Sequence, residues 1–366
     1  MYAIGKTGMG KSTMLFNLIR QDIENGEGLA VLDPHGDLAE RIIALIPEHR
    51  KKDLVYLDVT DSETPFHFNP LEITDMSRAS LVVSSLMSVF KKIWETSWGP
   101  RMEYILRNGL TTLSEFPHAT LLDLQRLLHD RNYRRIIIDK VQNPQIKSFW
   151  LKEFDSLTPR MQSEAIAPIQ NKIGAFLNNP VVKNIIGKRE SSFELRDVMD
   201  SGKIFLVNLS KGKIGEDSSS LLGAMLVTKI ALAALSRQNI PEWKRRDFYL
   251  YVDEFQSFTT SSFIDILSEA RKYRLNLILA NQYLHQVDEK IMGAILGNVG
   301  TLISFRVGTE DAKILSQEFY PTFQQSDIVN LPAYGIYLKL VIDADSSKPF
   351  SANTLDDVEI DVEEVA

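Results

Sequence analysis

Residues 5–12 read GKTGMGKS and separate a short apolar stretch, residues 2–4, from a helical pattern that begins at Lys11. This spacing fits G-x-x-x-x-G-K-[ST], the pattern of a phosphate-binding P-loop. Glycines let the backbone curl so that its N–H groups point at phosphate oxygens, and the positive end of the following helix faces the same anion. In such a loop Lys11 places a charge on the β- and γ-phosphates, and the Ser12 hydroxyl is a ligand for Mg²⁺. The residues predicted to bind the nucleotide are Gly5, Thr7, Gly8, Gly10, Lys11, Ser12 and Thr13.

Strand and helix patterns alternate on both sides of a long central segment. Short apolar runs bounded by turn residues predict strands, and amphipathic periodicity predicts helices between them. The predicted strands are residues 2–4, 29–32, 54–59, 203–209, 248–252, 275–280, 301–305 and 336–342. Alternation of this kind is typical of an α/β fold with a mostly parallel central sheet.

The central segment has helical periodicity and no convincing strand. Pro100 stands where a first helical turn would begin, and Thr120 has the character of an N-cap. We expect Trp94, Trp98 and Trp150 to pack inside this segment. The sequence therefore predicts an all-α insertion between two parts of one α/β domain. The expected ranges are 1–76 for the first part, 77–193 for the insertion, 194–345 for the second part and 346–366 for an acidic, flexible tail.

Polar residues follow three of the predicted strands. The strand at 248–252 is followed by Asp253 and Glu254, as in a Walker B motif, in which one carboxylate binds the Mg²⁺ shell and the next polarises the attacking water. We assign the first role to Asp253 and the second to Glu254. Gln282, after the next strand, is a candidate for sensing the γ-phosphate or for orienting water. Asp33 follows residues 29–32 and either shapes the metal shell or only helps to form a turn.

Composition excludes some classes of protein but does not identify the class to which the chain belongs. The chain has 366 residues, 41 Lys and Arg, 48 Asp and Glu, a net charge of −7 and 44% apolar residues, which is ordinary for a folded protein. There are no cysteines and the six histidines are scattered, so we expect no disulfide and no zinc site. No apolar run reaches the roughly 18 residues of a membrane span. A first strand this short leads us to expect that the chain is the carboxyl part of a longer protein or starts at an internal methionine.

Four motifs together resemble the HerA–FtsK superfamily of RecA-like motors, most closely the TraD/TraG-type coupling ATPases of type IV secretion and conjugation. They are GKTGMGKST, LDPHGDL, YVDEFQSF and ANQYLHQV, and the resemblance covers residues 2–342. It implies a RecA-like P-loop NTPase in which Lys11 and Ser12 bind phosphate and Mg²⁺, Asp253 and Glu254 form the Walker B pair and Gln282 is the sensor. Arg271 falls where such proteins can carry a basic residue that faces the next subunit, and Arg306 is the competing candidate.

The resemblance also implies a function. We expect an ATPase, with ATP and Mg²⁺ as its ligands, that assembles as a homo-oligomeric ring, a hexamer, and translocates DNA. Secretion-channel or relaxase proteins would be its partners. The location would be cytoplasmic, either peripheral to the inner membrane or anchored there through an upstream region, since coupling proteins usually carry an amino-terminal membrane anchor.

Two alternatives remain at this point. A motor that powers protein secretion or pilus assembly would share the same fold. A kinase or GTPase would share only the P-loop, and a GTPase should carry a base-reading Asn-Lys-x-Asp motif. The nearest match, NKIG at residues 171–174, lacks the aspartate and lies in the predicted insertion.

Overall fold

The computed structural model describes residues 1–61, 63, 65–260, 263–342 and 345–356. The chain divides into two compact units. The first comprises Met1–Leu57, Leu195–Leu209 and Ala233–Ala366, and the second comprises Asp58–Glu194 and Ser210–Leu232. The second unit contains the whole of the predicted insertion, but it begins earlier than residue 77 and takes in a later segment as well.

A nine-stranded sheet runs through the structure in the order β11-β8-β7-β1-β6-β5-β2-β4-β3. Its strands are β1 (Tyr2–Ile4), β2 (Gly28–Asp33), β3 (Leu54–Asp58), β4 (Ile204–Asn208), β5 (Phe248–Val252), β6 (Leu275–Asn281), β7 (Leu302–Ser304), β8 (Gly335–Lys339) and β11 (Phe350–Asn353). The pairs from β7 through β1, β6, β5 and β2 to β4 are parallel, whereas β8 is antiparallel to both β7 and β11. The predicted α/β class with a mostly parallel sheet is confirmed.

The helices follow the predicted alternation. They are α1 (Lys11–Glu24), α2 (Asp37–Leu45), α3 (Ala79–Ile93), α4 (Pro100–Ser114), α5 (Leu121–His129), α6 (Arg131–Lys140), α7 (Pro144–Ser148), α8 (Pro159–Asn178), α9 (Pro180–Ile186), α10 (Leu195–Asp200), α11 (Lys211–Ile214), α12 (Glu216–Ser236), α13 (Phe263–Glu269), α14 (Glu289–Asn298), α15 (Thr309–Glu318) and α16 (Gln325–Val329). Short 3₁₀ turns occur at Glu48–Asp53, Met76–Arg78, Glu95–Ser97, Arg237–Asn239, Glu242–Lys244, Phe255–Ser257, Ala270–Tyr273 and Leu284–Gln286, and a π-helical turn at Phe149–Phe154.

The core of the first unit lies between the sheet and the helix that follows the P-loop. Every residue of β1, β2 and β4 is buried, as expected for parallel strands covered on both faces. From α1 the side chains of Leu15, Phe16 and Ile19 are fully buried in the same cluster. This packing fixes the amino end of α1 directly beyond the carboxyl end of β1, which is where the P-loop lies.

The described part of the second unit is helical from Ala79 onward. Residues 77–193, all of which the structure describes, contain helices and turns and no strand, as predicted. Pro100 occupies the first turn of α4, and Thr120 caps α5 through a capping box with Asp123. Trp150 is fully buried, and its indole N–H donates to the Thr112 hydroxyl at 2.8 Å.

Two expectations about the carboxyl end differ from the structure. The single strand predicted for 336–342 is two strands, because β8 ends at Lys339 and a separate strand, β9 (Val341–Ile342), pairs with β10 (Asp345–Ser346). The range assigned to a flexible tail, 346–366, contains β11, which pairs with β8 from Phe350 to Asn353. Residues 350–353 carry no charge, so nothing opposes their pairing with a sheet edge, whereas most of the acidic residues of the tail lie at 357–366, outside the described residues.

One helix in the described part of the chain, Glu216–Asn239, is long and apolar enough by length and composition to cross a membrane. Its mean hydropathy is 1.6, and 67% of the most apolar window is buried by protein. The core helix of a globular protein meets the same criteria, and this degree of burial is typical of such a helix.

Candidate nucleotide-binding site

The P-loop joins β1 to α1 with two residues in the left-handed region of the backbone. Gly8 has φ 76° and Gly10 has φ 106°, conformations that glycine adopts without steric cost. Gly10 also lies against the ring of Tyr334, since a Cβ atom there would be 2.7 Å from the Tyr334 Cδ1 atom. The loop therefore depends on glycine at Gly10 for two independent reasons, its backbone conformation and its closeness to the Tyr334 ring.

Lys11 lies inside the loop that it follows. Its ammonium group donates hydrogen bonds to the carbonyl oxygens of Gly5 and Lys6, the latter at 3.2 Å. Burial lowers the pKa of Lys11, while the nearby carboxylates of Asp253 and Glu254 act to raise it. The positive charge is thus held between the backbone of the P-loop and the carboxylates of Asp253 and Glu254.

Asp253 and Glu254, the predicted Walker B pair, follow β5 and lie beside the P-loop. Burial is the main cause that raises the pKa of the Asp253 carboxyl, and the neighbouring charge of Lys11 opposes that shift. Glu254 has φ 46°, an uncommon conformation for a residue with a side chain, and its N–H donates to Asp253 Oδ1 at 2.9 Å. Uncommon backbone conformations of this kind cluster at functional sites, where the surrounding structure holds them in place.

The Glu254 carboxylate takes part in a hydrogen-bonded chain that crosses three strand ends. Its Oε1 atom lies 3.3 Å from the donating Nε2 of Gln282 and 3.2 Å from Nε2 of His35. The other end of the Gln282 amide accepts a hydrogen bond from the Thr7 hydroxyl at 3.0 Å. The structure therefore links the P-loop to the predicted water-polarising carboxylate through Gln282.

Gln282 is held by the residue before it. The fully buried Asn281 accepts a hydrogen bond from the Tyr2 hydroxyl at 2.7 Å and donates one to the Tyr283 carbonyl oxygen at 2.8 Å. These bonds fix the end of β6 against β1. As a result, Gln282 lines the same cavity as the P-loop.

Asp33 fixes the turn after β2. One carboxylate oxygen accepts the His35 N–H at 2.9 Å, and the other accepts the Ala39 N–H at 3.0 Å. The side chain is buried and does not line the P-loop cavity. Of the two roles considered for Asp33, these contacts favour shaping of the turn.

A cavity of about 260 Å³ unites most of the predicted site. It is lined by Thr7, Gly8, Gly10, Lys11, Ser12, Thr13, His35, Asp253, Glu254, Gln282 and Tyr334. Hydroxyl and carboxylate oxygens from Ser12 and Asp253 are the hard ligands that Mg²⁺ prefers, and the loop presents backbone N–H groups together with Lys11. The donor set of the cavity therefore fits a magnesium–nucleotide complex.

Arg271 is not part of this cavity. It belongs to the 3₁₀ turn that precedes β6, so it lies at the amino edge of the sheet, whereas the P-loop lies at the carboxyl edge. Its exposed side chain lines a separate cavity of about 560 Å³ that includes Asn298 and Lys339. Arg306 follows β7 at the carboxyl edge, and its carbonyl oxygen accepts the Lys6 N–H at 2.9 Å. Within one chain, the structure brings Arg306 and not Arg271 near the P-loop.

His35 and Tyr334 are two cavity residues to which sequence reasoning gave no role. His35 lies in the turn after β2, at the same sheet edge as the P-loop, and its contact with Glu254 after β5 depends on the order of the strands. Tyr334 enters from a loop more than 300 residues beyond the P-loop. Its N–H donates to the Met9 carbonyl oxygen at 3.0 Å, and its φ of 63° turns the ring toward Gly10. No local sequence pattern marks that contact.

Solved structures share this fold at low sequence identity. The bacterial conjugative coupling protein TrwBdeltaN70, in an unbound form, matches with a TM-score of 0.67 and 16% identity, over 97% of this chain and 84% of that chain. The plasmid coupling protein TrwB in complex with ADP and Mg²⁺ matches with a TM-score of 0.70 and 15% identity, over 98% and 86%. VirB4 of Thermoanaerobacter pseudethanolicus matches with a TM-score of 0.64 and 13% identity, over 97% and 89%.

The sequence itself identifies the family. No curated protein matches the chain at a significant level. Residues 1–320 match the family described as type IV secretion-system coupling protein DNA-binding domain. That match covers most of the chain and includes the P-loop, the Walker B pair, Gln282 and the helical segment. The chain therefore belongs to the type IV secretion-system coupling proteins, and it is a P-loop ATPase of that family.

Proposed function

We propose that this chain is the motor subunit of a homo-oligomeric ring, a hexamer, that uses ATP hydrolysis to move DNA toward a type IV secretion channel. The observation that carries the proposal is the continuous hydrogen-bonded chain from Thr7 through Gln282 to Glu254. It connects the loop that would contact the γ-phosphate to the carboxylate that would act on water. A nucleotide-binding site with no hydrolytic role would not need this connection.

Each residue of the site has a defined task in the proposed reaction. Lys11 exchanges its contacts with the Gly5 and Lys6 carbonyl oxygens for the β- and γ-phosphates. Ser12 and Asp253 would hold Mg²⁺, which would neutralise charge on the phosphates. Glu254 accepts a proton from the attacking water, and Gln282 reports on the γ-phosphate to Glu254.

The helical segment supports DNA as the cargo. Lys and Arg outnumber Asp and Glu in residues 77–193, although the chain as a whole is acidic. A basic excess confined to one segment is a feature of nucleic-acid-binding proteins. TrwB, one of the structural relatives, is a conjugative coupling protein, and we extend that role to this chain. Secretion-channel and relaxase proteins are the proposed partners, at the cytoplasmic side of the inner membrane.

The test compares the ATPase rates of the wild-type chain, Lys11→Ala and Glu254→Gln, without DNA and with single- or double-stranded DNA. We expect Lys11→Ala to lose hydrolysis because the phosphates lose their charged partner. Glu254→Gln should bind ATP normally and hydrolyse it at least ~10²-fold more slowly, since the amide keeps the shape and loses the base.

The same assay distinguishes DNA from protein as the cargo. Stimulation of the wild-type rate by DNA, weakening as salt rises, supports a DNA motor, because contacts with the phosphate backbone release counterions. ATPase activity that no DNA changes, but that a secretion or pilus protein stimulates, would favour the protein-secretion alternative. Near-normal turnover in Lys11→Ala would overturn the site itself.

A further inference from the structure

We propose that His35 is a positioning residue for Glu254: by binding one oxygen of its carboxylate, it holds the general base in the orientation that hydrolysis requires. This inference rests on the proposed role of Glu254. The Nε2 atom of His35 lies 3.2 Å from Glu254 Oε1. A carboxylate oxygen can only accept a hydrogen bond, so this nitrogen carries the proton.

The strand register shows why His35 and Gln282 act as a pair. Val252 is in register with Leu32 on one side and with Leu279 on the other. His35 and Gln282 are each three residues beyond those partners, so they flank Glu254 from opposite neighbouring strands. Both reach the same atom, Oε1, at nearly equal distances. Two donors on one oxygen, from opposite sides, fix the plane of the carboxylate.

The turn that carries His35 is held firmly in place. Asp33 accepts the His35 N–H, and Gly36 has φ 104°. A Cβ atom at Gly36 would lie 2.6 Å from the Asn208 side-chain oxygen, so the turn packs directly against the end of β4. Because the backbone on both sides of His35 is fixed, the imidazole is presented to Glu254 without a large entropic cost.

The two flanking donors differ in what else they contact. Gln282 is bonded to Thr7 of the P-loop, the loop that would contact phosphate. His35 has no bond to the P-loop among the described contacts, and its side chain is 46% exposed. His35 therefore keeps Glu254 in place while Gln282 responds to the nucleotide. Loss of His35 should slow the chemical step and leave nucleotide binding unchanged.

Three substitutions at exposed or cavity positions test this role. His35→Ala removes the donor, and His35→Gln places an amide N–H near the position of Nε2. His49→Ala is the matched control, because His49 is an exposed histidine in the 3₁₀ turn before β3, at the opposite edge of the sheet. Circular dichroism verifies folding, and binding of a non-hydrolysable ATP analogue is measured alongside kcat and KM.

We expect His35→Ala to lower kcat about 10- to 100-fold, since a misplacement of about 1 Å in a catalytic group costs this much, with analogue binding within about twofold of wild type. His35→Gln should recover part of the loss, and His49→Ala should behave as wild type. In the Glu254→Gln background, His35→Ala should reduce the residual single-turnover rate by less than about twofold, because residues that act as a unit are not additive.

The outcomes separate this inference from the proposed function. Normal turnover in His35→Ala beside an inactive Glu254→Gln overturns the role of His35 alone. A loss of analogue binding equal to the loss of kcat would also overturn it, because His35 would then be a phosphate contact. The same holds if adding His35→Ala to Glu254→Gln lowers the residual single-turnover rate by the full factor seen in the wild-type background. Normal turnover in Glu254→Gln overturns the proposed base and, with it, this inference.

Discussion

Gly10 carries two constraints that a single methyl group would violate. An L-residue at its φ of 106° is strained, at a cost of roughly 1–2 kcal/mol, and the added Cβ would also lie 2.7 Å from Tyr334. We expect Gly10→Ala to lower ATP affinity at least tenfold, on the reasoning that each 1.4 kcal/mol is a factor of about ten. Isothermal titration with ATP measures this, with circular dichroism to verify the fold.

Gly8 provides the matched comparison. Its φ of 76° is also left-handed, but nothing lies within 4 Å of a Cβ built there. Gly8→Ala should therefore lose less affinity than Gly10→Ala, and the double variant Gly10→Ala with Tyr334→Ala should regain part of the loss. Equal affinities for wild type and Gly10→Ala would show that the loop tolerates the contact.

Local motifs predicted the site residues that follow one another in sequence. Lys11 and Ser12 are recognisable because the P-loop is contiguous, and Asp253 and Glu254 because they end a clear strand. His35 and Tyr334 reach the same cavity only because β2 neighbours β5 and because the loop before β8 folds over the P-loop. The order of the strands in the sheet cannot be deduced from a single sequence, so these two contacts could not be predicted.

At the scale of elements, continuous runs of apolar residues made the parallel strands predictable. β5 has the bounds that were expected, and β2, β4 and β6 differ by a residue at one or both ends. The edge strand β11 was not predicted, because it shows little apolar alternation and is stabilised by its backbone pairing with β8. Pairing of that kind depends on the partner strand and leaves no local signal.

The helix α12 contains a charged residue in a mostly apolar sequence. Lys229 is half-buried as a residue, and its ammonium donates to the Glu72 carbonyl oxygen at 2.5 Å. Burial lowers the pKa of Lys229 to about 8, against about 10.4 for a lysine in an unfolded chain. Below pH 8 the folded protein must therefore keep a poorly solvated charge that the unfolded chain solvates freely.

The pH dependence of stability follows from this shift. Between about pH 8 and pH 10.4 the unfolded chain binds more protons than the folded one, so Lys229 makes stability rise with pH in that window. We expect Lys229→Met to remove this component of the rise. Each pKa unit corresponds to about 1.4 kcal/mol, so at pH 7 the buried charge of Lys229 lowers the free energy of unfolding by roughly 3 kcal/mol at most. Lys229→Met removes this penalty, but loss of the hydrogen bond to Glu72 would offset about 1 kcal/mol of the gain in stability.

Urea unfolding of wild type and Lys229→Met at pH 7, 8, 9 and 10 measures the effect. Lys213→Met, at an exposed lysine of α11, is the control and should leave the pH profile unchanged. Parallel profiles for wild type and Lys229→Met would contradict a lowered pKa at Lys229.

At the scale of the whole molecule, the proposed ring raises the question of which subunit would supply an arginine to each P-loop. A phosphoryl-transfer transition state spreads charge over the γ-oxygens, and an arginine supplied from outside is worth ~10³-fold or more in rate. Arg271 is exposed at the amino edge of the sheet, so it can act only on the P-loop of another subunit. The backbone of Arg306 contacts the P-loop of its own chain, which makes Arg306 the candidate for a role within the subunit.

Mixing inactive variants distinguishes these two sources. If Arg271 acts between subunits, Arg271→Ala and Lys11→Ala are each inactive alone. In a random equal mixture, about a quarter of the interfaces of a cyclic ring would join an intact Lys11 to an intact Arg271, and activity should return in proportion. Arg306→Ala mixed with Lys11→Ala is the comparison, because an arginine that acts within its own chain cannot be supplied by a neighbour.

Full activity of Arg271→Ala alone, or no recovery in a mixture whose co-assembly is verified by native mass spectrometry, would exclude Arg271. Recovery with Arg271→Ala and none with an inactive Arg306→Ala would mean that the ring must bring the amino edge of one sheet, where Arg271 lies, close to the P-loop of the next subunit.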